Sequence, residues 1–333
     1  MANKRDSKEY IYLSTVLRAK GAKMLSRDKA ERMLDAPSFE EAAKMLTENG
    51  YPDMSAYTAK QVETAIAQYG AKQFQYVAQL CPSEEVIDLF RIKYDYHNLK
   101  TIMKAEAAGI ERNDLLSDAG RIPVKQLISI YQEEKFLGLP EFMAKALVEA
   151  KTVLAHSGNP QQSDFILDKA YFAEIQQLAS KIGSKFMKGY SELLIDSANL
   201  RSAVRSLRMN KDTEFLKHAL VPGGGVDVNR ILEAASSGEA LAALFATGAL
   251  SKAAPLGAAA AAGEPMTAFE LACDNAVTEY LAGSSMIAFG EEPVVAYLAA
   301  VETEITTVRM ILTGKISGID PNTIRERLRD IHA

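Results

Sequence analysis

Residues 95–100 read Asp95-Tyr96-His97-Asn98-Leu99-Lys100, and residues 196–201 read Asp196-Ser197-Ala198-Asn199-Leu200-Arg201. A weaker third copy is Glu304-Ile305-Thr306-Thr307-Val308-Arg309. Each places an acid first, Asn or Thr three positions on, then an apolar residue and a base. Copies about a hundred residues apart imply one structural unit used three times, with divisions expected at residues 1–105, 106–208 and 209–333. A quasi-threefold body of this kind suits a framework better than a catalyst, because catalysis usually requires one asymmetric pocket.

Apolar residues around the motif recur at three- and four-residue spacing, so it lies on a helix. On a helical wheel Ile92, Leu99, Ile102 and Met103 cluster on one side. Asp95 falls inside that sector, Asn98 at its edge and Lys100 well away. Asp95 and Lys100 are five apart, too far round for a good intrahelical pair. A carboxylate in an apolar sector must find donors or a counter-charge elsewhere. The candidates are the N-terminus of a neighbouring helix and a base from an adjacent unit. Two readings of Asp95, Asp196 and Glu304 follow. They are catalytic acids or metal ligands, or they are structural anchors between helices, together with Asn98, Lys100, Asn199, Arg201 and Arg309. Equivalent positions of three units lie far apart, whereas paired-carboxylate chemistry needs separations of roughly 5–10 Å. The anchor reading is preferred.

The rest of the chain reads as almost entirely α-helical. Ser38-Phe39-Glu40-Glu41 is a capping box opening a helix from Glu40 to Glu48, closed by Asn49-Gly50. Ser237-Gly238-Glu239 opens a similar helix, Ala240 to Thr247, and Glu141 to Leu154 is its counterpart in the middle unit. After each motif comes a helix, a break and a turn. These are Gly109 and then Ala119-Gly120-Arg121-Ile122-Pro123, Val221-Pro222-Gly223-Gly224-Gly225, and finally Gly314 and Gly318. Asp320-Pro321 caps a last helix, Asn322 to Ile331. The N-terminal copy lacks the leading portion, so the terminal helices are expected to complete the first unit.

Composition bounds the function. The 333 residues, 48% hydrophobic and 24% charged, are those of an ordinary globular protein with room for two or three domains. A net charge of −5 argues against broad nucleic-acid binding, which calls for a basic face. Cys81 and Cys273 belong to no CxxC pair and read as free thiols in a reducing compartment. Met1-Ala2-Asn3-Lys4-Arg5-Asp6 is charged and no apolar run follows, so no signal peptide is expected. No stretch reaches the ~18 apolar residues of a membrane span. Ala240 to Ala262 comes nearest but is broken by Ser251, Lys252 and Pro255, and reads as a helix end and a mobile loop. His97, His156, His218 and His332 are not spaced as zinc ligands. Gly223-Gly224-Gly225 lacks the phosphate-loop pattern and reads as a turn. No metal or cofactor is expected. Arg201, Arg205, Arg208 and Lys211 form a basic stripe at i, i+4, i+7 and i+10, either a solvated face or a partner interface for an acidic surface. Arg325, Arg327 and Arg329 are a weaker case.

At these residues the sequence resembles the C subunit of prokaryotic V-type (A/V-type) ATPases, equivalent to the d subunit of the eukaryotic enzyme. The segments that carry the resemblance are Tyr94 to Lys100, the Tyr10-to-Tyr51 region with its Ser38-Phe39-Glu40-Glu41 helix, and Gly189-Tyr190 leading into Asp196 to Arg201. At the C-terminal end they are Glu292-Pro293-Val294-Val295-Ala296-Tyr297 through Glu304, Val308-Arg309-Met310-Ile311, Gly314-Lys315, and Ile324-Arg325-Glu326-Arg327-Leu328. Ala253 to Gly263 departs from the pattern. The resemblance implies an all-α, funnel-shaped protein of three similar helical domains around a central cavity. It implies a rotor subunit with no catalytic centre or cofactor, held peripherally at the cytoplasmic face of the membrane. Its partners would be the central shaft subunits, whose foot enters the cavity, and the membrane proteolipid ring, which it caps during ion transport. Two other readings stay open: a general helical-repeat adaptor for a cytoplasmic protein, and a metal-dependent hydrolase using Asp95, Asp196 or Glu304.

Overall fold

The computed structural model describes residues 7–331, so Met1–Asp6, His332 and Ala333 lie outside the described residues. Every regular element among the described residues is helical. The chain begins with α1 (Ile11–Gly21), α2 (Arg27–Asp35), α3 (Phe39–Lys44) and α4 (Ala59–Leu80). It continues through α5 (Glu84–Ala108), α6 (Val124–Gln132), α7 (Glu141–Ser157), α8 (Pro160–Ile182) and α9 (Lys185–Arg208). Three short helices follow, α10 (Thr213–Ala219), α11 (Val228–Ala234) and α12 (Gly238–Leu244). The chain closes with α13 (Ala253–Ala261), α14 (Met266–Ala282), α15 (Glu291–Ile316) and α16 (Pro321–Arg325). None of the described helices is long and apolar enough to cross a membrane.

Local chemistry sets these boundaries. Ser26, Ser38, Thr58, Asn159, Ser184 and Asp212 each accept from an amide of the first turn of the helix that follows. Gly50, Gly158 and Gly183 end their helices in the left-handed conformation that only glycine adopts cheaply. Four expectations are corrected. The helix opened by Ser38 stays α-helical only to Lys44, and Met45–Asn49 tightens into a 3₁₀ turn. The Ala-rich stretch is not a loop. Residues Ala253–Ala261 form α13, with Ala253, Ala254, Gly257 and Ala260 buried, because alanine is the strongest helix former and packs closely against α14. Gly314 does not break its helix: it lies inside α15, where a Cβ would come 2.5 Å from Ile324 Cδ1. The final helix stops at Arg325, and the chain runs on to bury Leu328.

By its internal contacts the chain divides into two compact units. One holds residues 85–244; the other holds residues 7–84 together with 245–331. These contact units are a different division from the three sequence repeats. The first unit contains α6–α12 and nearly all of α5, with α7 laid along α8 and α8 along α9. In the second, both ends of the chain share one core. Met33, Leu34, Leu46 and Ile66 pack with Val308, Ile311, Leu312 and Ile324, all nearly inaccessible to water. α15 is the spine of this unit and touches α1, α2, α3, α4, α14 and α16. α16 rests on α2, where Arg325 bridges Glu31 and Asp35 at 2.8 Å each. Arg329 pairs with Asp274 at 2.8 Å, so two of the three C-terminal arginines are held by acids and are not a solvated row.

Ile324 sits at the seam where Gly314 leaves room for it. Ile324→Ala is expected to lower unfolding stability by about 2–5 kcal/mol in a denaturant titration, because it opens a cavity between the two ends of the chain.

Candidate functional site

The three motif acids are supplied with donors in the same way. Asp95, fully buried on α5, accepts Arg121 N–H at 2.9 Å and Ile122 N–H at 3.2 Å, the amides just ahead of α6. Asp196, half-buried on α9, accepts Gly225 N–H and Val226 N–H at 3.1 Å each, just ahead of α11. Glu304, on α15 and 1% exposed, accepts Leu25 N–H at 2.7 Å, just ahead of α2, and Tyr51 Oη–H at 3.1 Å. Each acid therefore ties its helix to the loop that launches another helix. For Glu304 that loop comes from the other end of the chain.

The middle residue of the motif adds a second tie. Asn98 Nδ2 donates to Ser117 O at 2.8 Å and Oδ1 accepts Ser117 N–H at 2.9 Å. Asn199 does the same with Val221, at 2.8 Å in both directions. A planar amide carries one acceptor and one donor side by side, which matches the N–H and C=O of a single backbone residue. Asn98 is fully buried, not at the edge of the apolar sector. Thr307, buried in the third copy, cannot present that planar pair. Two of the motif bases reach to long helices of their own contact unit. Lys100 pairs with Asp168 on α8, and Arg309 pairs with Glu63 on α4 at 2.8 Å.

Glycine makes the first two clamps possible. A Cβ at Gly120 would lie 2.1 Å from Asp95 Oδ1, and one at Gly224 would lie 2.1 Å from Asp196 Oδ1. The Gly223-Gly224-Gly225 run is thus a close-approach surface for a carboxylate, and Gln176 Nε2 donates to Gly223 O at 2.7 Å.

At Asp95 the clamp extends into a charged network. Arg121 Nε donates to Asp95 Oδ2 at 2.7 Å, and its Nη1 donates to Glu174 Oε1 at 2.6 Å. Tyr96 Oη donates to Glu174 Oε2 at 3.0 Å. The base that answers Asp95 therefore comes from the same loop as the amides, and that loop lies in the adjacent sequence repeat, residues 106–208. Arg121, Glu174, Tyr51 and Leu25 were not marked by the sequence. Only the Gly120-Arg121 turn hinted at the first. Burial pushes the carboxyl of Asp95 above its ordinary value, with Arg121 and the two amides pulling it down. Burial likewise raises Asp196 and Glu304. Tyr51, buried and facing Glu304, is raised too and stays a donor.

The basic stripe is shorter than its spacing suggested. Arg201 is half-buried on α9, and Arg205 and Arg208 are exposed. α9 ends at Arg208, and Asn210 turns the chain with φ +50°. Lys211 therefore leaves the helical row and sits 5.4 Å above the Phe215 ring.

Among the described residues, no group of three His, Cys, Asp or Glu side chains is placed to hold a metal ion. The oxygens of the three motif acids point at protein donors. Fold and polar geometry together define a helical framework whose recurring side chains bind its own loops. The chain belongs to the ATP synthase (C/AC39) subunit family, whose sequence model matches residues 13–327 and whose members are non-catalytic subunits of rotary ATPases. It is similar to the C subunit of the V-type sodium ATPase of Enterococcus hirae, at 23% identity over 97% of this chain and 99% of that protein. It is also similar to the C subunit of the A-type ATP synthase of Methanocaldococcus jannaschii, at 25% identity over 97% of this chain and 87% of that protein. The C subunit of the V-type ATP synthase of Thermus thermophilus matches at 23% identity over 67% of this chain and 70% of that protein.

Removing one partner of a buried ion pair strands the others and costs about 3–5 kcal/mol. Arg121→Met is expected to lose stability on that scale in a denaturant titration, and Glu174→Gln in that background is expected to restore part of it. Glu304 gives a pH signature. Because its folded-state pKa lies above the ordinary value of 4.5, the folded chain binds the proton more tightly than the unfolded chain. Stability relative to a Glu304→Gln variant is therefore expected to be highest near pH 4 and to decline toward pH 7. Melting temperatures of both proteins across that range check it; a difference that grows with pH would refute it.

Proposed function

We propose that this chain is the rotor subunit that couples the central shaft of a rotary V- or A-type ATPase to its membrane proteolipid ring. The observation that carries this reading is the family match from residue 13 to residue 327, with relatives aligned nearly end to end. In this role the chain hydrolyses nothing. It sits peripherally on the cytoplasmic face of the membrane, held there by its partners, and transmits torque during ion transport.

The recurring clamps fit such a part. A coupling element must be stiff, since a soft one would store rotation and not pass it on. We read Asp95, Asn98, Lys100, Asp196, Asn199, Arg201, Glu304 and Arg309 as structural anchors of three repeats. In this reading the C-terminal helices, α15 with Glu304 among them, complete the first repeat around Leu25. The repeats form a funnel whose central cavity receives the foot of the shaft, and their differing walls let it grip an asymmetric helical partner.

Mixing the purified chain with the two shaft subunits and recording native mass spectra tests the role. One copy of each in a single complex is expected; a chain that stays monomeric with the shaft and with the ring would overturn it. The exposed pair Arg205 and Arg208 is the candidate acidic-partner surface. Reversing both to Glu is expected to weaken assembly about tenfold, roughly 1.4 kcal/mol, while the chain keeps its helical circular-dichroism signal. Unchanged assembly would leave the pair as solvated surface.

A further inference from the structure

The second unit contains a cavity of about 760 Å³ that the clamps and the proposed coupling role do not use. Its walls are α1, α14, α15 and the segment of residues 21–26 that Glu304 holds. The volume lies within the ~300–1,000 Å³ typical of small-molecule sites. Leu17, Met24, Leu281, Ala296, Ala300 and Ile331 make most of the lining apolar. Small side chains on α15 leave the space open, since Ala296 and Ala300 are one turn apart on the same face.

Two donors on α1 stand in that lining, which also holds the hydroxyls of Ser26, Thr278, Ser284, Ser285, Tyr297 and Thr303. Ser14, on α1 and 1% exposed, has a hydroxyl with no hydrogen-bond partner among the described residues. Buried hydroxyls are almost always bonded, so an orphan in a cavity wall points to a missing acceptor. Arg18 lies four residues further along α1, on the same face, and also lines the cavity. Its Nη2 donates to Ile287 O at 2.6 Å, and a guanidinium carries five N–H donors in all. A hydroxyl and a guanidinium one turn apart call for an acceptor with negative charge, and a carboxylate matches both. Asp330 is the acidic residue of the lining, and its repulsion directs an anionic head toward Arg18.

We propose that this cavity binds a single-chain carboxylate amphiphile, with its head on Ser14 and Arg18 and its tail between α14 and α15. Such a ligand would pack against residues 21–26 and so brace the segment that joins the N-terminus to Glu304.

The test uses the full chain and dodecanoate, kept below its micelle concentration, in a calorimetric titration. Saturable binding at one site is expected. Arg18→Gln should weaken dodecanoate about tenfold while leaving the methyl ester of the same chain unaffected, because only the charged head meets the guanidinium. Ala300→Phe should abolish binding of both by filling the cavity, and Ser14→Ala should weaken dodecanoate without lowering the melting temperature. Absence of saturable binding to the unaltered chain would overturn the proposal. So would dodecanoate affinity that Arg18→Gln and Ser14→Ala leave untouched, which is the mark of adsorption elsewhere. The outcome is independent of whether the shaft subunits bind.

Discussion

A carboxylate set into the apolar face of a helix needs donors, and this protein supplies them from its own backbone. At Asp95, Asp196 and Glu304 the donors are amides of a loop about to become a helix. An unpaired buried carboxylate would cost several kcal/mol. The acid and the loop therefore specify each other's position. The helix cannot rotate without stranding its charge, and the loop cannot shift without losing an acceptor for its amides. Gly120 and Gly224 belong to the same constraint, since any side chain there would displace the carboxylate.

The third use of this device differs in chain topology and in chemistry. Glu304 meets uncharged donors, Leu25 N–H and Tyr51 Oη–H, and Tyr51 stacks on Tyr69 with ring centres 3.7 Å apart. Asp95 meets a guanidinium that is shared with Glu174. The same position thus serves once inside an ion network and once among neutral hydroxyl and amide donors. What recurs is acceptance from the backbone, which does not depend on the identity of the neighbouring side chain.

Much of this was legible in the sequence for a physical reason. Helical periodicity and capping are local, so the helices, the Gly109 and Gly50 ends and the misfit of Asp95 on its own wheel could all be read from neighbouring residues. Partners were not legible, because nothing near Asp95 points to Arg121 twenty-six positions on, or to Glu174. Composition misled in the alanine-rich stretch, where small residues suggested a loop and close packing made a helix. Gly314 misled likewise, because a glycine that makes room for Ile324 reads in sequence like one that ends a helix. Spacing alone extends the basic row to Lys211, because spacing carries no mark of the turn that Asn210 makes after Arg208.

The clamp between Glu304 and Leu25 also bears on how the chain is made. Its two halves are 279 residues apart in sequence. At a synthesis rate of about 5–20 residues per second, the N-terminal amide emerges roughly 15–55 seconds before its acceptor exists. The loop that joins them is long, and long-range closure is slow. Residues 85–244 need not wait, since their own clamps span fewer than about 35 positions. The order of assembly is thus written into the position of one glutamate: the middle of the chain can settle first, and the two ends meet last.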